Sequence, residues 1–340
     1  MIEDVNLLNK LIADSTKFSS LYQPGPYWKK KVSQSHKEIL KKGIRNFRGA
    51  DNNIGESFSD NQNINILNDY YGGFRGFFKF LLERVYPLKN IFIRQLSLTS
   101  SFRKELNLYK SKYLENSNYF KELSKKFIFD NTVNYGCEDY STINGKKISN
   151  YYLTIADTHL NLSKNIDFNK INSFFEIGGG FGANVHFLLQ NYSNIKKIIY
   201  LDLPVNLFIA TQYLRSFYGN SVKDYLTTHN KKIIFEDNDS VEIVCIPPWK
   251  ISDLDVSIDC FQNSNSFVEM PENVIRNYCL YVKKCTHKKS RIALSSYGSF
   301  KSETTFDPKL LKVYFDFDFD LTSYPSTVPN KKNNIFFISK

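Results

Sequence analysis

The chain of 340 residues is 42% hydrophobic and carries a formal net charge of +11, enough apolar content to bury a sizeable core as a catalytic domain plus an extension. No apolar run reaches the ~20 residues that span a bilayer; the richest, Phe74 to Leu82, is interrupted by Arg75 and Lys79. The start, MIEDVNLLNK, carries acids and no apolar signal region, so the expected location is cytoplasmic. The lysines are spread along the chain in short clusters, which reads as ordinary solvation and makes nucleic acid an unfavoured partner. The functional alternative for the charge is an anionic acceptor. Cys137, Cys245, Cys260, Cys279 and Cys285 show neither C-x-x-C nor zinc spacing and read as reduced, mostly buried thiols.

Two domains are expected, 1–150 and 151–340. Residues 1–50 read as helices broken by a turn at Pro24 to Pro26. Asp51 to Asn65 is polar and aperiodic, Asp69 to Arg84 is aromatic with glycines, and Ile91 to Glu115 reads as helical. This mainly helical part is expected to pack on the catalytic domain as an active-site cover. Tyr22, Tyr27, Trp28, Tyr70, Tyr71 and Phe74 are candidates to stack on an acceptor ring, against the commoner role of core aromatics. Residues 134–165 end in a helix that places Tyr152, Ile155, His159 and Leu162 at helical spacing. His159 is a candidate general base or, alternatively, a hydrogen-bonded core histidine.

The most informative stretch follows. Ser173 to Ile177 is a strand-type apolar run, Gly178 to Gly182 a glycine turn, and Val185, Leu188, Leu189 and Tyr192 open a helix. Ile198 to Leu201 is a second strand, ended by Asp202 and Leu203, with Pro204 suited to the first turn of the next helix. Such a βαβ unit brings the glycine turn and the acidic strand end together at one sheet edge, where a ribose fits. Gly178, Gly180 and Ala183 satisfy the dinucleotide pattern G-x-G-x-x-G/A. Gly178, Gly180 and Gly182 equally satisfy the E/D-x-G-x-G-x-G pattern of S-adenosylmethionine (SAM) enzymes. Glu176 separates the two, since a carboxylate at the mouth repels a pyrophosphate but favours an ammonium or sulfonium. The candidate cofactor residues are Glu176, Gly178, Gly179, Gly180, Gly182, Asp202 and Leu203.

Ser221 to Asn230 reads as a polar connector and Lys231 to Glu236 as an extra apolar run. Val241 to Ile246 is a strand ended by Pro247 and Pro248, Asp255 to Cys260 a fourth central strand, and Arg291 to Ser296 a fifth. A loop from Phe261 to Met270 leads into a helix from Pro271 to Cys285. Phe315 to Thr322 and Asn334 to Ser339 read as a terminal antiparallel hairpin, whose connecting loop carries Lys331 and Lys332. The carboxylates best placed to act as a base are Glu269 and Asp259, the latter expected near the carboxyl end of its strand. Glu269 is equally readable as a helix N-terminal acid, and His186 as structural. No metal-ligand cluster is legible, and metal dependence stays open.

Several segments also resemble the bacterial sugar O-methyltransferase family: EIGGGFGANVHFLL with IIYLDLPVNLFIATQYL, NSFVEM at 265–270, YPSTVPNKKNNIFFI near the end, and YQPGPYW at 22–28. The resemblance implies a class I SAM-dependent methyltransferase: an α/β, Rossmann-like seven-stranded sheet with a C-terminal antiparallel hairpin behind a mainly helical N-terminal extension. It further implies methyl transfer from SAM, with S-adenosylhomocysteine as product, to a sugar hydroxyl of a free sugar, sugar nucleotide or glycan. That chemistry would serve surface polysaccharide biosynthesis, capsule or lipopolysaccharide. The rival readings are a methyltransferase acting on nucleic acid or another small molecule, and a non-catalytic Rossmann-like binding domain.

Overall fold

In a computed structural model of the protein, residues 3–48, 107–108, 111–137, 140–297, 310–315, 317–324 and 334–339 are described. The helices are α1 (Val5–Ser15), α2 (Pro26–Lys42), α3 (Asn118–Lys126), α4 (Asn150–Leu162), α5 (Ala183–Asn191), α6 (Pro204–Tyr218), α7 (Tyr225–Thr228), α8 (Glu272–Cys285) and α9 (Leu311–Phe315). The strands are β1 (Tyr140–Ile143), β2 (Lys146–Ser149), β3 (Ser173–Ile177), β4 (Lys197–Leu201), β5 (Val222–Lys223), β6 (Glu242–Ile246), β7 (Ile258–Ser264), β8 (Thr286–Tyr297), β9 (Phe319–Tyr324) and β10 (Asn334–Ser339). The chain divides into two compact units, one of Met1–Arg45, Thr158–Pro325 and Lys332–Lys340, the other of Asn46–Asp157 and Ser326–Lys331.

The first unit is built on continuous apolar runs. β3, β4 and β6 are buried along almost their whole length, as parallel strands covered on both faces must be. They join a mixed sheet of eight strands in the order β5-β6-β4-β3-β7-β8-β10-β9. The pairings from β5 to β8 are parallel, and β10 runs antiparallel to both β8 and β9. On one face Phe175, Ile199, Phe261 and Val244 meet Ile275, Cys279 and Val282 of α8 in a continuous core. α1, capped by Asp4 accepting from the Leu7 amide at 3.1 Å, packs against α6 and buries Leu7, Leu8 and Leu11.

Three expectations need correction. Among the described residues the sheet has eight strands rather than seven: β5 lies inside the stretch read as a polar connector, and its two residues are too few to show a period. It pairs through Val222 with Ile243 and Lys223 with Val244. The fourth central strand runs from Ile258 to Ser264, not from Asp255 to Cys260, so Asp259 stands at its start rather than near its carboxyl end. The apolar run Lys231 to Glu236 contributes only an isolated bridge between Ile233 and Leu254.

At its position Asp259 braces the amino end of the sheet. Its Oδ2 accepts the amides of Asn172 at 2.8 Å and Ser173 at 3.0 Å, and its Oδ1 lies 3.2 Å from His287 Nε2. Burial opposes its ionisation, but the two amides and His287 outweigh that and hold the carboxyl below its usual range. Asp259→Ala is therefore expected to cost about 1–2 kcal/mol of unfolding free energy at pH 7. Because the folded-state value is depressed, the contribution is present above the unfolded value and lost as pH falls through the folded one. Urea titrations of both proteins at pH 7 and pH 3 check this; an equal gap at both pH values would contradict it.

In the second unit, β1 and β2 form a hairpin whose turn residues Asn144 and Gly145 have φ of 50° and 76°, the left-handed pair that a two-residue hairpin requires. Buried Arg48 ties this unit together, donating to Thr132 O at 3.0 Å and Ser149 Oγ at 2.6 Å. Among the described residues no helix is long and apolar enough to cross a membrane.

Candidate cofactor and active site

Because β3, β4 and β7 are parallel, their carboxyl ends share one edge of the sheet, and the glycine turn leaves β3 there. Gly178, Gly180 and Gly182 take φ of 76°, 69° and 84°, values that strain any residue with a Cβ. Space forbids one as well. A Cβ on Gly178 would sit 2.3 Å from Ser266 Oγ, and one on Gly179 would sit 2.5 Å from the Glu176 carboxylate.

Asp202 follows β4 and organises the turn. Its Oδ2 accepts the Gly180 amide at 2.9 Å and the Tyr200 hydroxyl at 3.3 Å; its Oδ1 accepts the Leu203 amide at 2.7 Å and Asn206 Nδ2 at 3.2 Å. Tyr200 also lies 2.6 Å from Gly180 O. Burial pushes the Asp202 carboxyl up to about 6 despite these donors.

Glu176, the penultimate residue of β3, is 1% exposed. Its Oε1 accepts Asn184 Nδ2 of α5 at 2.8 Å, while its Oε2 has no hydrogen-bond partner among the described residues. Gln262, its lateral neighbour on β7 and so on the same sheet face, also has an unpartnered buried oxygen, Oε1. Two acceptors without donors beside a glycine turn are suited to a ligand that donates, and a buried carboxylate favours one that is positively charged. Burial, with Asp202 nearby, pushes the Glu176 carboxyl up to about 8 against the lowering effect of Asn184.

The loop after β7 reaches the same turn. Asn263 Nδ2 donates to Ile177 O at 2.9 Å and to Ser266 Oγ at 2.5 Å, which pins Ser266 over Gly178. Three residues on, Glu269 ends the short helix Phe267–Glu269 and its Oε2 accepts the indole N–H of Trp28 at 2.6 Å. Lys31 Nζ lies 5.7 Å from the Trp28 ring centroid. Burial raises the Glu269 carboxyl, with the Trp28 N–H and Lys31 acting in the opposite direction. A half-buried carboxylate with a raised value, beside the candidate cofactor turn, is suited to taking a proton from a hydroxyl near neutral pH.

The other candidates lie elsewhere. Asp259 sits at the start of β7, at the opposite edge of the sheet. His159 is fully buried, its Nε2 2.7 Å from Asn184 Oδ1. His186 stacks on Phe217 at 3.9 Å between centroids and bonds Tyr218 Oη through Nδ1 at 2.8 Å. Tyr22 packs against the core beside α8. Tyr70, Tyr71, Phe74, Lys331, Lys332 and the Tyr27 side chain lie outside the described residues. Burial pushes the Cys245 and Cys285 thiols up to about 12 and about 11, and those of Cys260 and Cys279 up as well. Among the described residues no group of three or more His, Cys, Asp or Glu side chains could hold a metal ion. Sequence reasoning did not single out Asn184, Gln262 and Ser266: Asn184 and Ser266 lie within the family-like segments EIGGGFGANVHFLL and NSFVEM and Gln262 in neither, and the contacts of all three become visible only through register and packing.

The O-methyltransferase domain family matches residues 102–228 of the chain, a stretch that contains the glycine turn and Asp202. A search of curated proteins found no match. Among solved structures, the mitomycin 7-O-methyltransferase MmcR aligns at 13% identity and a TM-score of 0.40, over 56% of this chain and 55% of its own. The pyocyanin biosynthetic protein PhzM aligns at 14% identity and 0.37, over 56% and 58%. The glycopeptide N-methyltransferase MtfA, complexed with S-adenosyl-L-methionine, aligns at 11% identity and 0.38, over 55% and 86%. The chain thus spans little more than half the length of the first two, and the residue assignments below rest on none of the three.

Proposed function

We propose that this protein is a SAM-dependent O-methyltransferase acting on a sugar hydroxyl. The observation that carries the cofactor is the buried, donor-less Oε2 of Glu176 against Gly179. An anionic pyrophosphate there would oppose ionisation of Glu176 still further, whereas the ammonium end of SAM would favour the ionised carboxylate and pair with it. The match of residues 102–228 to the O-methyltransferase domain family supports the reaction class, and the sheet order, with β10 between β8 and β9, supports a class I arrangement. The sugar rests on the family resemblance in the sequence.

When bound, SAM supplies an electrophilic methyl group. Within this reading, Glu176 and the turn from Gly178 to Gly182 hold the methionine end. Asp202 takes the ribose by giving up its two longer bonds, those to Asn206 and Tyr200, while keeping the amides of Gly180 and Leu203. Glu269 accepts the proton of the acceptor hydroxyl, and Trp28 keeps its Oε2 oriented toward that task. The barrier is lowered by holding the two reactants together and by the positioned base.

Trp28→Phe removes the indole donor but keeps the ring. A hydrogen bond to a charged group contributes about 1.5–3 kcal/mol, so this variant is expected to turn over about tenfold or more slowly at pH 7. The acid limb of its pH–rate profile should move to higher pH, because the donor favours ionised Glu269. S-adenosylhomocysteine affinity should stay at the parental value; a variant with parental rate and profile would remove Trp28 from the site.

Calorimetric titration with S-adenosylhomocysteine, with NAD as control, tests the cofactor directly. Micromolar binding of the former alone supports the proposal and is followed by transfer assays with free, nucleotide-linked and lipid-linked sugars. Binding of NAD alone would overturn it.

A further inference from the structure

His159 sits on α4 with no solvent contact, edge-on to Phe168 at 4.9 Å and stacked on Phe187 at 5.2 Å. Its Nε2 lies 2.7 Å from Asn184 Oδ1, and Asn184 Nδ2 lies 2.8 Å from Glu176 Oε1. A buried chain therefore connects α4, through the first turn of α5, to the carboxylate beside the glycine turn.

The chain has a direction. An ionised carboxylate only accepts, so Asn184 turns its NH2 to Glu176 and its carbonyl oxygen to His159, which then carries its proton on Nε2. If Glu176 is protonated on Oε1, every bond reverses: Glu176 donates to the Asn184 carbonyl, the Asn184 NH2 donates to Nε2, and the ring proton belongs on Nδ1. A proton on Oε2 instead would leave Oε1 accepting from Asn184 and the chain unreversed. The Nε2–H tautomer of His159 thus keeps the Asn184 NH2 on Oε1 and bars the proton from that oxygen, while the donated bond favours the ionised carboxylate.

We infer that His159 and Asn184 are positioning residues for Glu176: together they hold its Oε1 and present an ionised Oε2 to a cationic group of the cofactor at Gly179. This assigns His159 a role other than the general base considered from the sequence, and it rests on the function proposed above. The groups around Glu176 make such a device useful. Asp202, just after β4, opposes its ionisation, Tyr200 on that strand directs its hydroxyl to Gly180 and Asp202, and Gln262 on β7 is uncharged. Asn184 is the donor that acts in favour of the charged form.

The test is titration of the full chain with S-adenosylhomocysteine between pH 6 and 8.5, for the parent, His159→Phe and Asn184→Ala, with thermal unfolding of each. The phenyl ring keeps the stacking on Phe168 and Phe187 and deletes the Nε2 donor. The parent's affinity should rise with pH as Glu176 ionises. In both variants the midpoint of that rise should move to higher pH, with affinity about tenfold weaker at pH 7. If His159→Phe does not fold, Asn184→Ala alone carries the comparison. Unmoved midpoints, or an equal loss at every pH, would overturn the relay while leaving the cofactor assignment intact. A parent that binds no S-adenosylhomocysteine at any pH would overturn the function first and the relay with it.

Discussion

Glu176→Gln is expected to make the ligand-free protein more stable above pH 7 while weakening S-adenosylhomocysteine binding about a hundredfold. Burial pushes the Glu176 carboxyl up to about 8 in the folded chain, from an ordinary 4.5. Below about 4.5 the group is neutral in both states and opposes nothing. Between that value and about 8 the folded chain holds a proton that the unfolded chain has released, so this group's contribution to stability falls by about 1.4 kcal/mol per pH unit as pH rises. Above about 8 the full cost of a buried, half-satisfied carboxylate is present. Glutamine removes the slope, and with it the counter-charge for the ammonium, whose charge-assisted bond is worth up to about 3 kcal/mol. Thermal unfolding from pH 5 to 9, with and without ligand, separates the two effects. A variant with the parental pH slope would show that Glu176 is not the titrating group.

The second large effect is expected at Glu269. If its carboxylate takes the hydroxyl proton, Glu269→Gln should lower kcat by about two to four orders of magnitude with S-adenosylhomocysteine affinity unchanged. In the parent, kcat should fall as pH drops through the folded value of Glu269, which burial places above the usual carboxylate range. The variant's residual rate should be flat there. Methyl transfer to an active sugar acceptor at pH 5 to 9 provides the measurement, and parental turnover by the variant would end the assignment of Glu269 as base.

The glycine turn and Asp202 could be located from sequence because the turn, the strand end and Pro204 are contiguous, and their chemistry depends on local φ angles and strand ends. What surrounds them could not be read in the same way. Gln262 meets Glu176 through the register of β3 with β7, Asn184 through the face of α5 it occupies, and Ser266 through close packing on Gly178. The bond from Trp28 to Glu269 spans 241 positions, beyond any pattern of spacing. Asp259 was misplaced because acids before Ile258 blur the start of β7; moving the strand to Ile258–Ser264 carries its carboxyl end from Cys260 to Ser264 and leaves Asp259 at the foot. The edge strand β5 was missed because two residues cannot display alternation.

Asp202 is already engaged by the protein itself: the Gly180 and Leu203 amides and Asn206 donate to it, and the Tyr200 hydroxyl, whose one proton it shares with the nearer Gly180 O, covers its remaining side. A visiting hydroxyl can reach it only by eviction, and the candidates for eviction are the bonds at 3.2 and 3.3 Å, since those from the Gly180 and Leu203 amides are shorter and backbone-borne. The carboxylate is in that sense a placeholder: it keeps the glycine turn in shape when no guest is present and can change partners on one side without releasing the other. Exchange of this kind adds few bonds in number, so the hydroxyls would contribute discrimination more than tightness, and the strength of the grip would have to come from the charge at Glu176.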